Sequence, residues 1–279
     1  MREVQPLSQL SNTQLFAPPV AADRATCHHL FVLQRAGFFH FAQSHCDPLA
    51  ELAKAIDTAS RAIDVADSLI VLPEAFNLGR EYGSGDTPKM GPQLDYRCTL
   101  THLRTLATMH KASFITSVIE EGSRNNSAYF VDAGPPRLMC HKIIDDGYEE
   151  YSPCTADCEA ENPLNHGETQ IGVLVWADAF DNRKGQGAAP GAQYAYRRRQ
   201  CLLSRLVKVP RCLLCVPAYT YLDPDLPGVG LILANSRPGH RSFVKNWKGG
   251  MVGTPNDLHK NEVCLRDLSL IVENHIGPV

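Results

Sequence analysis

The chain has 279 residues, of which 44% are hydrophobic and 20% charged, and 27 Lys+Arg set against 30 Asp+Glu give a formal charge of −3. That composition is globular rather than disordered, and with no basic surplus it argues against a nucleic-acid partner. No apolar run reaches the ~20 residues that cross a bilayer, so no membrane partner is expected. The stretch Met1 to Thr26 is polar, is broken by Pro18 and Pro19, and lacks the apolar core of a secretory signal. A cytoplasmic protein is therefore expected, and its 10 cysteines are read as reduced thiols in a chain long enough to build a core without staples.

Residues 1–28 read as an N-terminal extension, and residues 29–279 as one domain. Phe31 to Phe41 is an apolar, strand-like stretch. Asp47-Pro48 suits a helix start, and Leu49, Leu52, Ala53, Ile56, Ala59 and Ile63 follow at helical spacing. Ser68 to Leu72 is a buried-type strand stopped by Pro73. Thr99 to Lys111 then predicts a helix and Ala112 to Ile119 a strand. A hairpin is expected from Ser127–Asp132 and Arg137–Ile144. Further on, Gln170–Ala177 predicts a strand, Ala192–Val207 a helix, Cys212–Pro217 a strand and Gly230–Asn235 another. Strands alternating with helices favour an α/β fold or an α-β-β-α sandwich.

Three strand ends carry polar groups, where open α/β sheets tend to place ligand sites. Leu69–Phe76 (LIVLPEAF) ends on Glu74, and a carboxylate beside a buried strand suits a general base. Cys140–Glu150 (CHKIIDDGYEE) offers Lys142 as a donor to a developing oxyanion, with Glu150 eight residues on to hold it. Ile171–Phe180 (IGVLVWADAF) is a third apolar run, ending on Asp178.

In order and spacing, these segments resemble the nitrilase, or carbon–nitrogen hydrolase, superfamily. Its members carry a Glu in an LPE-type motif, a Lys in a K-x-x-L-type motif and a Cys in a G-x-x-I-C-x-D-type motif. Leu49–Ala66, Asn126-Ser127-Ala128, Val216-Pro217-Ala218 and Ala234-Asn235 extend the resemblance, which runs from about Phe31 to about Gly253. It implies a four-layer α-β-β-α sandwich that associates as a homodimer and needs no cofactor. The implied chemistry is attack by a Cys thiolate on an amide or nitrile. Residue by residue, Glu74 takes the general-base position, Lys142 the oxyanion position and Glu150 that of the supporting carboxylate, while Asp178 matches the acid two residues beyond the nucleophile.

The nucleophile itself is replaced. Alignment on Ile171-Gly172 and Asp178 puts Trp176 at the cysteine position, and a shift of one residue would put Ala177 there. Neither side chain forms an acyl intermediate. The leading expectation is thus a homologue that has lost catalysis or most of it and binds a small amide, nitrile or carboxylate, with Asp178 and Ala177 near the ligand. Two alternatives stand beside it: an active amidase using another thiol, Cys140 or Cys215, and a non-enzymatic scaffold subunit.

Two cysteine pairs have spacings of the kind metal ligands use. Cys212-x-x-Cys215 lies in a β-like run whose residues three apart face opposite ways. Cys154 and Cys158, with His166 nearby, form the better zinc-type cluster, although a metal is not the expected reading. Arg197-Arg198-Arg199 would fan out around a helix and read as a solvated face.

Overall fold

The computed structural model describes residues 29–35, 48–61, 64–82, 88–93, 95–123, 125–144, 162–180, 191–219, 224, 226, 228–235, 242–253, 261–267 and 269–272. Glu150, Cys154 and Cys158 lie outside the described residues, as do the N-terminal extension and the rest of residues 145–161.

The chain opens with β1 (His29–Arg35), α1 (Pro48–Ser60) and β2 (Leu69–Val71), followed by the hairpin β3 (Leu78–Tyr82) and β4 (Pro88–Gln93). Next come α2 (Tyr96–His110), β5 (Ser113–Ile119), β6 (Asn126–Val131) and β7 (Arg137–His141). The second half holds β8 (Leu164–His166), β9 (Thr169–Val173), a one-turn 3-10 helix at Trp176–Ala179 and α3 (Ala192–Leu206). It continues with β10 (Cys212–Ala218), β11 (Gly230–Asn235), β12 (Phe243–Lys245), β13 (Met251–Gly253), β14 (Asn261–Asp267) and α4 (Ser269–Val272).

Local chemistry accounts for several boundaries. Asp95 caps α2, accepting from the amides of Arg97 at 2.7 Å and Cys98 at 2.9 Å, and so satisfies donors that a helix start leaves open. Lys111 ends the same helix in the left-handed region at φ 52°. The β3–β4 hairpin went unpredicted because its strands are rich in Gly, Pro and charge and poor in β-branched residues.

Two six-stranded sheets face each other, in the orders β14-β1-β2-β5-β6-β7 and β13-β12-β11-β10-β9-β8. Strands β1, β2 and β5 run parallel, as do β9, β10 and β11. Leu69, Val71, Ile115 and Phe130 from the first sheet meet Ile171, Val173, Leu213 and Ile232 from the second in a dry core. Leu52, Ile56, Leu100 and Leu103 of α1 and α2 cover the outer face of the first sheet. Leu202 and Leu206 of α3 cover the outer face of the second. The architecture is the expected four-layer α-β-β-α sandwich.

Strand β10 illustrates why its run is apolar throughout. All seven of its residues are buried; Cys215 belongs to the core between the sheets, whereas Cys212 belongs to the layer beneath α3. The two thiols therefore sit on opposite faces of one strand, as the period of two requires.

Three expectations need correction. The Gln170–Ala177 strand ends at Val173, and Trp176 and Ala177 lie on the 3-10 turn instead, where Trp176 takes a positive φ of 28°. Strands β8 and β12 to β14 were not anticipated; β8, β12 and β13 are three-residue pieces too short for a periodic signal. The arginine run is not a solvated face. Only Arg197 is exposed, while Arg198 donates to the carbonyl of His141 at 3.0 Å and the buried Arg199 to that of Ala179 at 3.1 Å.

Candidate functional site

Glu74 stands three residues past β2, on a segment fastened along β5. The amide of Leu72 donates to Ile115 O and that of Phe76 to Ser117 O, both at 2.8 Å. The side-chain amide of Asn77 then grips both the N–H and the C=O of Ile119, at 2.8 and 2.9 Å. Between these anchors Ala75 adopts the left-handed conformation at φ 51°. The chain thus bulges at a fixed point beside Glu74 before returning to the sheet.

Lys142 enters from the neighbouring strands. It directly follows β7, and its amide donates to Asn126 O at the start of β6, at 2.7 Å. The Lys142 ammonium reaches Glu74 Oε1 at 3.0 Å, and neither side chain has any exposed surface. Asn126 Nδ2 donates to that same oxygen at 2.7 Å. Behind Asn126, Ser117 Oγ donates to Asn126 Oδ1 at 2.8 Å and itself accepts from Ala75 N at 2.9 Å. An acid, an amine and a carboxamide thus converge in a dry site. Such an arrangement persists only where hydrogen bonds replace the lost water.

The third element comes from the opposite sheet. After β9 the chain turns at Trp176 into the 3-10 helix, and the indole lies over the Lys142 ammonium, 4.2 Å from ring centroid to Nζ. A cation this close to a tryptophan face is attracted by the ring quadrupole. The half-buried ring also meets Tyr219 edge-on, at 6.2 Å between centroids, and packs against both the inter-sheet core and the α3 layer.

Asp178 is buried, and both its oxygens are engaged by the chain's own backbone: Oδ2 accepts from Ile143 N and Oδ1 from Ile144 N, each at 2.9 Å. Burial pushes its carboxyl up to about 6, the two amides and the charges of Lys142 and Arg198 offsetting only part of that cost. A ligand-contacting carboxylate was expected here, and the structure gives a backbone clasp. Ala177 packs with Ile143, Ile144 and Ala195.

Of the candidate thiols, Cys140 is buried in the inter-sheet core, its Sγ 3.5 Å from Val173 O. Burial pushes the Cys215 thiol well above its ordinary range. His166 meets Phe130 in a tilted arrangement, 5.7 Å between ring centroids. Sequence reasoning missed Ser117 and Arg198, since no motif marks a hydroxyl or a guanidinium that acts through a neighbour.

A second polar group lies where the end of β5 meets β6 and β7. Burial pushes the Glu120 carboxyl up, but hydrogen bonds from the Ser127, Tyr129 and Ser123 hydroxyls outweigh it and hold the group below its usual range. Ser127 Oγ also meets His141 Nδ1 at 2.6 Å.

Neither a protein-family model nor a curated protein matches this chain. Solved structures do. A carbon–nitrogen hydrolase from Helicobacter pylori G27 superposes with TM-score 0.59 at 16% identity, covering 87% of this chain and 90% of its own. An amidase of the nitrilase superfamily from Nesterenkonia sp. AN1 gives TM-score 0.55 at 19% identity over 88% and 91%. The CN-hydrolase superfamily protein XC1258 from Xanthomonas campestris gives 0.50 at 13% identity over 90% and 91%. The chain has the nitrilase-superfamily fold. Within the nitrilase fold, Glu74, Lys142 and Trp176 stand at the ends of β2, β7 and β9, the three strands whose ends the sequence motifs singled out.

Proposed function

We propose that this chain is a carbon–nitrogen hydrolase homologue that retains the acid and the amine of the inherited site, Glu74 and Lys142, and has lost the nucleophile. The observation that carries the reading is the indole of Trp176 seated 4.2 Å from the Lys142 ammonium. At a strand end where a thiolate would attack, an aromatic ring fills the space and forms no acyl bond. Loss of the nucleophile from such a constellation removes orders of magnitude in rate. Amide or nitrile hydrolysis is then absent or residual. A small amide, nitrile or carboxylate remains the ligand class, and its entry requires the indole to move. Glu150 completes the proposed site as the supporting carboxylate, and the working unit is a cytoplasmic homodimer of the domain spanning residues 29–279.

The alternative of another attacking thiol finds little support. Cys140 and Cys215 are buried, and a thiol raised by burial is a poor nucleophile at neutral pH.

The test has two arms. A thiol-directed probe followed by peptide mapping should label the exposed Cys98 and Cys201 and leave Cys140, Cys212 and Cys215 unmodified; a fast-reacting buried thiol would favour the active-hydrolase reading. Trp176→Cys should then gain hydrolysis of simple amides or nitriles, since the Lys142 ammonium would favour thiolate and Glu74 could take the proton. A wild-type chain that turns such substrates over at ordinary enzymatic rates would overturn the proposal.

A further inference from the structure

The segment His141–Ile144 carries Lys142, and it is gripped from the opposite half of the sandwich. Asp178, on the 3-10 turn, accepts from Ile143 N and Ile144 N, at 2.9 Å each. Arg198, on α3, donates to His141 O at 3.0 Å. Gly191, at the start of α3, lies so close that a Cβ there would stand 3.0 Å from both Ile143 O and Ile143 Cγ2. Four consecutive residues are therefore held through three of their backbone groups by two side chains. The same one-turn element supplies Trp176, which covers the ammonium.

We infer that Asp178 and Arg198 are positioning residues which hold Lys142 at Glu74. The inference rests on the reading of Glu74 and Lys142 as the inherited pair, but not on the loss of the sulfur. A carboxylate fits this task better than an amide would, because each of its oxygens accepts; an Asn would turn an NH2 towards one of the two backbone donors. The guanidinium complements it by satisfying the one carbonyl among the three grips. Among the described residues, the charges facing Asp178 are the Lys142 ammonium and the Arg198 guanidinium. Since the carboxyl titrates at about 6, protonation should free one accepting oxygen within an accessible pH range. His141 titrates on the same segment, with burial holding its ring below the ordinary value.

The test is amide hydrogen exchange together with amine acetylation at Lys142, on the full chain. In Asp178→Asn, the protection of the Lys142, Ile143 and Ile144 amides should fall at least tenfold, and Lys142 should acetylate at least tenfold faster. The exposed Lys54 and Lys208 should label as before, and the β10 amides should keep their protection. Arg198→Met should act in the same direction, and Arg198→Lys should restore part of the loss. In the wild type, lowering the pH from 7.5 to 5 should loosen the same three amides, and Asp178→Asn should abolish that response. Should Asp178→Asn fail to fold, the wild-type pH comparison still decides. The inference is overturned if Lys142 stays as protected as in the wild type while Ile143 and Ile144 loosen. It is also overturned if β10 loosens in parallel, or if the pH response persists in Asp178→Asn. None of these outcomes depends on whether Trp176→Cys gains activity.

Discussion

Removing the ammonium from the sealed pair should destabilise the protein severely, and removing both charges should not. Glu74 and Lys142 have no exposed surface and meet at 3.0 Å, so Lys142→Met leaves a carboxylate in a dry site without its cation. Breaking a buried ion pair from one side costs ~3–5 kcal/mol. At ~2–4 °C per kcal/mol for a chain of this general size, the midpoint should fall by about 10 °C. The double variant Lys142→Met/Glu74→Gln removes both charges, and a Gln at position 74 can still accept from Asn126, which now donates to Glu74 Oε1 at 2.7 Å. Neutral replacement of buried pairs is often neutral or stabilising. The double variant should therefore lie within ~1 kcal/mol of the wild type or above it, a coupling of ~3 kcal/mol or more. Urea unfolding followed by circular dichroism reads the free-energy changes as midpoint shifts at constant slope, and a thermal melt reads the temperature shift. A Lys142→Met protein with a wild-type midpoint, or a double variant no better than the single one, would refute the reasoning.

Further outcomes follow from other contacts. Asp178 titrates at about 6 when folded against an ordinary 3.8, so the folded state binds its proton more tightly than the unfolded state does. Its contribution to global stability should therefore rise as pH falls from about 6 to 4, by up to ~3 kcal/mol, because relief of the burial cost outweighs the locally weaker grip on Ile143 N and Ile144 N; urea midpoints across that window should flatten in Asp178→Asn. Gly230→Ala should destabilise by ~1–3 kcal/mol, because the new Cβ would stand 2.8 Å from Ile271 O and 2.9 Å from Ile271 Cγ2; thermal melts would show it. Ser117→Ala removes the donor to Asn126 Oδ1 and the acceptor for Ala75 N, and should cost ~1–3 kcal/mol with increased amide exchange at Ala75.

What could be read from the sequence was whatever depends on period and on strand ends. The run Leu69–Leu72 closed by Pro73, the α2 stripe of Leu100, Leu103 and Ala107, and the wholly apolar β10 each announce their burial. The convergence of Glu74 and Lys142 came from motif order, not from any local signal, since 68 residues separate the two positions. The turn at Trp176 was not legible. Apolar residues continue through Val175 although the strand stops at Val173, and the turn beyond it is held by a distant clasp at Ile143 and Ile144. Arg198 and Arg199 escaped for a related reason: a guanidinium that donates to a carbonyl on another element looks, in one dimension, like any surface charge. Asp178 was noticed as an acid at a strand end but its grip on two backbone amides was not foreseen, because a ligand and a backbone amide ask for the same acceptor.

The pairing of β1 with β14 has a consequence for synthesis. His29 lies opposite Asp267 and Arg35 opposite Asn261, so β1 acquires one of its two neighbours only after more than 200 further residues have been made. Until then one flank of β1 is an open edge of unsatisfied amides and carbonyls, the feature that invites intermolecular pairing. Truncations that stop short of Asn261 should therefore accumulate as aggregates rather than as soluble fragments, even though every other strand of both sheets among the described residues would already have been made.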